Sequence, residues 1–458
     1  MTPEDIKLLL IALGSIVFLV TLIVSRLRTH PFIALLITAV GVGFCAGIPA
    51  EALTKSITDG AGHTLGTAGI VVVLGAMLGK VLADGGVTQT IADKLTANTS
   101  LRMLPWTITF IAFVIGIPMF FEVGLVILLP LLFSVARNIE EHQRFKGSAY
   151  VYVGVPAISA LCAMHGMVPP HPGPLTAIAS LDTSIGATMV YGFIAAVPSM
   201  ILGGPLYGLL LAPNMSVRPD ATVIAQYSGR ADTPANISLI TCFLTALMPA
   251  LLMLLHTLAE LLTDGNSAIL KTTAFIGSPV MAMLIGLIFA AIMLVYVPRR
   301  ATAELRASLT ESIKPIGNVI MIIAGGGAFQ HVLKDASVGQ AIMHMSDSLS
   351  LSPLLLGWIV AMLLSVSTGS ATVGIVGAAG LLAPFAGNPH VNAPLLALSI
   401  GCGSLFFNYA NHAGFWFVKE SFGMSMKEAT MTITVIQSVV SLAGLLMVLL
   451  MNLFPPLV

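Results

Sequence analysis

Apolar residues come in long runs along this chain, and polar ones gather in the short stretches between them. A helix needs about 20 apolar residues to cross the hydrocarbon core of a bilayer. Runs of that order cover 6–24, 31–47, 68–83, 150–180, 184–212, 237–262, 274–297, 317–334, 394–418 and 430–453. Each predicts a transmembrane helix, and the interruptions in 150–180 and 394–418 predict broken ones. Two further runs, 104–135 and 351–386, are divided at Gly116-Ile117-Pro118 and around Thr368-Gly369-Ser370. Each predicts two short helices folded as a re-entrant hairpin. The stretches 213–236 and 298–316 read as polar linkers.

Composition agrees with that pattern. Of the 458 residues, 57% are hydrophobic and 9% charged, against about a quarter charged in soluble domains. Twenty basic and twenty acidic side chains give zero formal net charge and form no basic run, which argues against a nucleic-acid partner. The four cysteines lie in apolar stretches without CxxC spacing, so neither a disulfide framework nor a zinc site is expected. Glu4 and Asp5 precede the first apolar run, and Arg26 and Arg28 follow it. That order is the reverse of a secretory signal and predicts a first helix that is retained.

Lys and Arg in short loops orient a membrane protein. Placing Arg26/Arg28, Arg137/Arg144/Lys146 and Arg299/Arg300/Arg306/Lys314 on one side, the cytoplasm, puts both termini on the other. The two hairpins then enter from opposite faces. The chain also repeats itself. Gly75, Val81, Leu82, Asp84, Val87, Gln89 and Ile91 recur 251 positions later as Gly326, Val332, Leu333, Asp335, Val338, Gln340 and Ile342. Val123-Gly124-Leu125-Val126 answers Val373-Gly374-Ile375-Val376, and Pro170-His171-Pro172-Gly173 answers Asn411-His412-Ala413-Gly414. The expected fold is therefore an all-α polytopic membrane protein of two inverted repeats. The first is 1–212, with hairpin 104–136 and broken helix 150–180. A cytoplasmic linker follows at 213–236. The second is 237–458, with hairpin 351–386 and broken helix 394–418. Inverted repeats with paired broken helices characterise secondary transporters.

Candidate chemistry lies where charge is scarcest. Glu122 is the only charged residue between Arg102 and Arg137, and the 71 residues between Asp347 and Lys419 have none. An ionisable group inside a span is costly and usually functional. Glu122 is a proton-carrier candidate, or else a carboxylate that caps a half-helix. Four prolines in Val168-Pro169-Pro170-His171-Pro172-Gly173-Pro174 cannot continue a helix. They predict an unwound segment where His171, Gly173 and exposed N–H groups meet an anionic ligand, with His165 nearby, or else a kinked loop at the membrane surface. The second half offers Ser367, Thr368, Gly369, Ser370 and Thr372, then Asn408, Asn411 and His412. These hydroxyl- and amide-bearing groups suit a hydroxylated carboxylate held at half-helix N-termini. No metal or cofactor is expected. Gly325-Gly326-Gly327 reads as close helix packing, since no GK[ST] follows it.

The order FFEVGLVILLPL, VPPHPGP, AGGGAF, GSATV and NxxGFW resembles the gluconate permease family of sugar-acid:proton symporters, within the ion-transporter superfamily. The resemblance runs from His30-Pro31-Phe32 to the last helix. It implies proton-coupled uptake of gluconate or a related sugar acid across the bacterial inner membrane. It also implies a homodimer with a fixed scaffold and an elevator-like transport domain. By resemblance, Glu122 is the family's acidic residue after the Phe pair and His171 its proline-flanked histidine. Where many members have N-D-x-G-F-W, this chain has Asn411-His412-Ala413-Gly414-Phe415-Trp416.

Other readings are a transporter of a different small carboxylate such as D-serine, a membrane-embedded enzyme and a passive channel. The chain has no HExxH, GxSxG or phosphate loop. It also lacks charged rings and a repeated filter sequence. Transport by a symporter is the expectation that remains.

Overall fold

The structure, a computed structural model, describes every residue except 1, 98, 118–120, 142–144, 221–236, 263–266, 299–301, 350, 410–411 and 457–458. The side chains at 24, 122, 260–261, 302, 315, 343 and 346–349 are likewise outside the described set.

The described regular structure is helical throughout. That follows from the composition, because in lipid each backbone N–H and C=O must be paired within its own segment or in a closed barrel. In chain order the first half contains α1 (Pro3–Val24), α2 (Pro31–Ala46), α3 (Ala50–Thr64), α4 (Ile70–Asp84) and α5 (Val87–Thr96). Next come α6 (Leu104–Gly116), α7 (Phe121–Glu141), α8 (Ala149–Met167), α9 (Pro172–Ser180), α10 (Ile185–Ile201) and α11 (Tyr207–Leu211). The second half begins with α12 (Leu239–Leu262), α13 (Ala268–Gly277), α14 (Pro279–Ala291), α15 (Thr302–Ile313), α16 (Gly317–Asp335) and α17 (Val338–Leu349). It ends with α18 (Pro353–Thr368), α19 (Ala371–Leu382), α20 (Ala393–Ser404), α21 (Ala413–Phe422), α22 (Met426–Ala429) and α23 (Val435–Met451).

Eight described helices are long and apolar enough to cross a membrane, or nine if the bent pair 303–313 and 317–335 counts as one span. Each expected hairpin run holds two helices, α6 and α7 in the first and α18 and α19 in the second; α6, α18 and α19 are short, whereas α7, at 21 residues, is long enough to cross a membrane. At 1.5 Å per residue, the 13-residue α6 is about 20 Å long, too short for a core of about 30 Å. Both broken helices are present as well, α8–α9 and α20–α21.

Local chemistry sets the helix ends. Thr2 and Asp5 form a reciprocal capping box at α1, and Ser148, Ser184, Ser370 and Asn392 cap α8, α10, α19 and α20. Each such side chain satisfies one of the N–H groups a helix start leaves unpaired.

Three boundaries differ from the sequence expectation. The 68–83 span is the second part of a 35-residue helical run, Ala50–Asp84. Its first part, α3, carries Lys55, Asp59 and His63, and so lacks an apolar pattern. It is helical because one face packs on α16. The stretch 298–316 contains a helix, α15, packed on α4. The 274–297 run is interrupted at Ser278, between α13 and α14.

Three adjacent glycines in α16 face three neighbours. A Cβ at Gly325 would crowd Phe32 and Leu35 of α2, one at Gly326 would overlap Val376 of α19, and one at Gly327 would overlap Thr64 of α3. Successive helical residues point about 100° apart, so this triplet lets α16 approach three helices at backbone distance.

Candidate functional site

Each hairpin is fastened to the break in the broken helix that follows it. In the first half, α6 ends at Gly116, and the His171 imidazole lies 2.8 Å from the Gly116 carbonyl through Nε2. A carbonyl only accepts, so His171 Nε2 carries a proton and donates. His171 is 3% exposed and precedes the first turn of α9. Its ring meets that of His165 edge to face, centroids 5.7 Å apart. The proline-rich segment between α8 and α9 is therefore buried and held from two directions.

In the second half, Ser365 of α18 bonds to the break after α20. Its hydroxyl lies 2.6 Å from the Ser404 carbonyl and 3.0 Å from Asn408 Oδ1. Asn408 Nδ2 donates to the same Ser404 carbonyl at 3.0 Å, and Thr434 Oγ1 donates to the Asn408 carbonyl at 2.8 Å. The Asn408 amide thus works inside the protein, closing the end of α20 against the hairpin. Neither Ser365 nor Ser404 was singled out from the sequence. A hydroxyl one turn ahead of the Ser367–Thr372 run was the available signal.

The second arms of the hairpins cross over. A Cβ at Gly173, in the first turn of α9, would overlap Ile375 Cδ1 of α19. A Cβ at Gly414, in the first turn of α21, would lie 3.4 Å from Phe121 Cε1 at the start of α7. So α9 starts beside α19, and α21 starts beside α7. All four begin at a break, and a helix start presents unpaired N–H groups and the positive end of the helix dipole. That arrangement suits an anion.

Of the residues singled out earlier, His165, His171 and Gly173 sit together at the first break. Ser367, Thr368, Gly369, Ser370 and Thr372 form the half-buried tip of the second hairpin. Gly369 makes the turn with a left-handed φ of 70°, which suits a residue without Cβ. Thr368 Oγ1 donates to the Leu364 carbonyl at 2.7 Å, and Ser370 Oγ accepts from Val373 N at 3.3 Å as the cap of α19. A hydroxyl that accepts at a cap keeps a proton to donate. His412 caps α21, its Nδ1 accepting from Gly414 N at 3.1 Å. Glu122 falls in the first turn of α7, with its side chain outside the described residues, and Asn411 lies outside them altogether. Among the described residues no group of three or more His, Cys, Asp or Glu is placed to hold a metal ion.

Comparisons with known proteins identify the family. The model of the GntP family permeases matches residues 6–454. A gluconate permease of Pseudomonas aeruginosa is 38% identical over 451 residues, covering 98% of each chain. The high-affinity gluconate transporter of Escherichia coli is 36% identical, over 97% of this chain and 99% of the relative. The D-serine transporter DsdX of Escherichia coli is 31% identical, over 93% and 95%. Among solved structures, the YdaH transporter of Alcanivorax borkumensis superposes with a TM-score of 0.65 at 15% identity, over 94% of this chain and all of the other. MtrF of Neisseria gonorrhoeae gives a TM-score of 0.67 at 13% identity, over 94% and 96%. At those identities the likeness is one of fold. Matched along almost its whole length, this chain belongs to the GntP family of permeases and is a multi-pass membrane transporter, not an enzyme.

Proposed function

We propose that this transporter takes up gluconate or a closely related sugar acid together with protons across the bacterial cytoplasmic membrane. The observation that carries the reading is the two pairs of helix starts, α9 beside α19 and α21 beside α7, next to the two fastened breaks. Helix N-termini favour a carboxylate, and the hydroxyl- and amide-bearing residues beside them suit a polyol. The relatives add support for a sugar acid. Those named for gluconate or L-idonate reach 33–38% identity, and the D-serine transporter reaches 31%.

His171, Gly173, Ser367, Thr368, Gly369, Ser370, Thr372 and His412 are the substrate-binding candidates, with His165 supporting His171. Glu122, in the first turn of α7, is the proton-coupling candidate. The two halves are inverted repeats that place both termini in the periplasm. The same order of elements recurs in each half, down to a hairpin, a broken helix and a final helix with a π-turn (202–206 and 430–434). The hairpins and broken helices move against a scaffold built from the other helices, in a homodimer.

The test is a panel of sugar acids and D-serine, each measured for thermal stabilisation of the purified protein. Stabilisation by gluconate or another aldonic acid at lower concentration than D-serine supports the reading. Preference for D-serine overturns it.

A further inference from the structure

A cavity of about 780 Å³ opens between α3, the end of α9, the end of α16 and the turn after α19. Gln330 of α16 and Ser180 of α9 meet in its wall through a reciprocal pair of hydrogen bonds. Ser180 Oγ donates to Gln330 Oε1 at 2.8 Å, and Gln330 Nε2 donates to the Ser180 carbonyl at 2.9 Å. The stem of Gln330 is held against α19, since a Cβ at Gly380 would lie 3.2 Å from Gln330 Cβ. Thr64, His331, Lys334 and Asp182 complete the part of the lining that matters here.

His331 and Asp335 stand 251 positions after Lys80 and Asp84. At that earlier place α15 packs on α4 as α3 packs on α16, and Ser308 donates to Asp84. A gap of this size, lined by polar groups, lies in the range of small-molecule pockets.

We infer that this cavity is a second binding site for a small polyhydroxylated carboxylate, whose hydroxyls exchange with the Ser180–Gln330 pair while Lys334 meets its carboxylate. This rests on the sugar-acid reading above. A polyol hydroxyl both donates and accepts, so adjacent hydroxyls replace the two bonds of the pair without leaving a polar group unpaired. Lys334 is offset by Asp182, so the two together carry no net charge. Hydroxyl contacts therefore carry the affinity, and the site binds more weakly than the helix starts. Its occupant loosens the one hydrogen-bonded fastening described between α9 and α16.

Equilibrium binding of labelled gluconate to the purified full chain tests this. Two phases are expected, the weaker one reduced about tenfold in Gln330→Ala, as loss of a hydrogen bond of about 1.4 kcal/mol requires. Lys334→Gln, on the exposed rim, should reduce the same phase. The surviving strong phase reports that each variant is folded. Propionate, which lacks hydroxyls, should not compete for the weaker phase. A single phase in the unmodified protein, or a weaker phase that survives both substitutions, overturns this inference and leaves the sugar-acid reading standing. No gluconate binding at all overturns that reading and this inference with it.

Discussion

Gly166 and Gly401 touch backbone to backbone. A Cβ at Gly401 would overlap the Gly166 carbonyl, and one at Gly166 would lie 3.0 Å from the Gly401 carbonyl. Gly166 is near the end of α8 and Gly401 near the end of α20, so the two broken helices cross just before their breaks. This crossing brings the two halves of the candidate site together.

Gly401→Ala should therefore be costly. The atom it meets is backbone, which cannot rotate away, and overpacking a fixed interior costs about 1–3 kcal/mol. Thermal unfolding and uptake should both fall. Gly41→Ala is the control, because nothing lies within 4 Å of a Cβ at that position, and it should leave both unchanged. Equal effects of the two changes would contradict the crossing.

Ser365 and Asn408 should be coupled energetically. They share a hydrogen bond and the Ser404 carbonyl, so a double-mutant cycle of Ser365→Ala and Asn408→Ala should show an interaction of about 0.5–3 kcal/mol in unfolding. Additive effects would mean that the hairpin is not held at the break by this pair.

His412 combines a capping role with a proposed binding role, and two substitutions separate them. His412→Ala removes the cap and should cost about 0.5–2 kcal/mol of stability. His412→Asp restores a capping acceptor but places negative charge beside an anion site. It should keep most of the thermal stability and still weaken gluconate binding, with a shifted pH profile. Normal binding in His412→Asp would leave His412 with the cap alone.

The inverted arrangement predicts that the last turns of α7, which hold Arg137, and the loop after α19, which holds His390, face opposite sides. Arg137 and His390 are both exposed, and only Cys45 of the four native cysteines is. Single cysteines at 137 and 390, in a background without native cysteines, should react with an impermeant thiol reagent from opposite sides of the membrane. Labelling of both from one side would contradict inversion.

The sequence made the spans and breaks legible because both are local signals. An apolar run of fixed length marks a helix, and Pro169–Pro174 or Thr368-Gly369-Ser370 marks where one stops. Helix α3 was not legible. With Lys55, Asp59 and His63 it has no apolar run, and its partner α16 lies more than 250 residues away. The same holds for contacts within the site. His171 was legible as a histidine among prolines, but its partner is a backbone carbonyl at position 116. Asn408 read as a ligand group, whereas its amide binds Ser404 and Ser365. Nor does sequence spacing pair Gly166 with Gly401 or Ser180 with Gln330, since neither pair is periodic.

Uphill uptake of labelled gluconate into membrane vesicles under an imposed proton gradient, inside alkaline, tests proton-coupled transport most directly, with Glu122→Gln beside the unmodified protein. The unmodified protein should accumulate gluconate above the external concentration and lose that accumulation on addition of a protonophore. Glu122→Gln keeps its shape but cannot titrate, so it should exchange bound gluconate without accumulating it. Accumulation that survives the protonophore, or that persists in Glu122→Gln with an unchanged pH profile, would contradict proton coupling through Glu122.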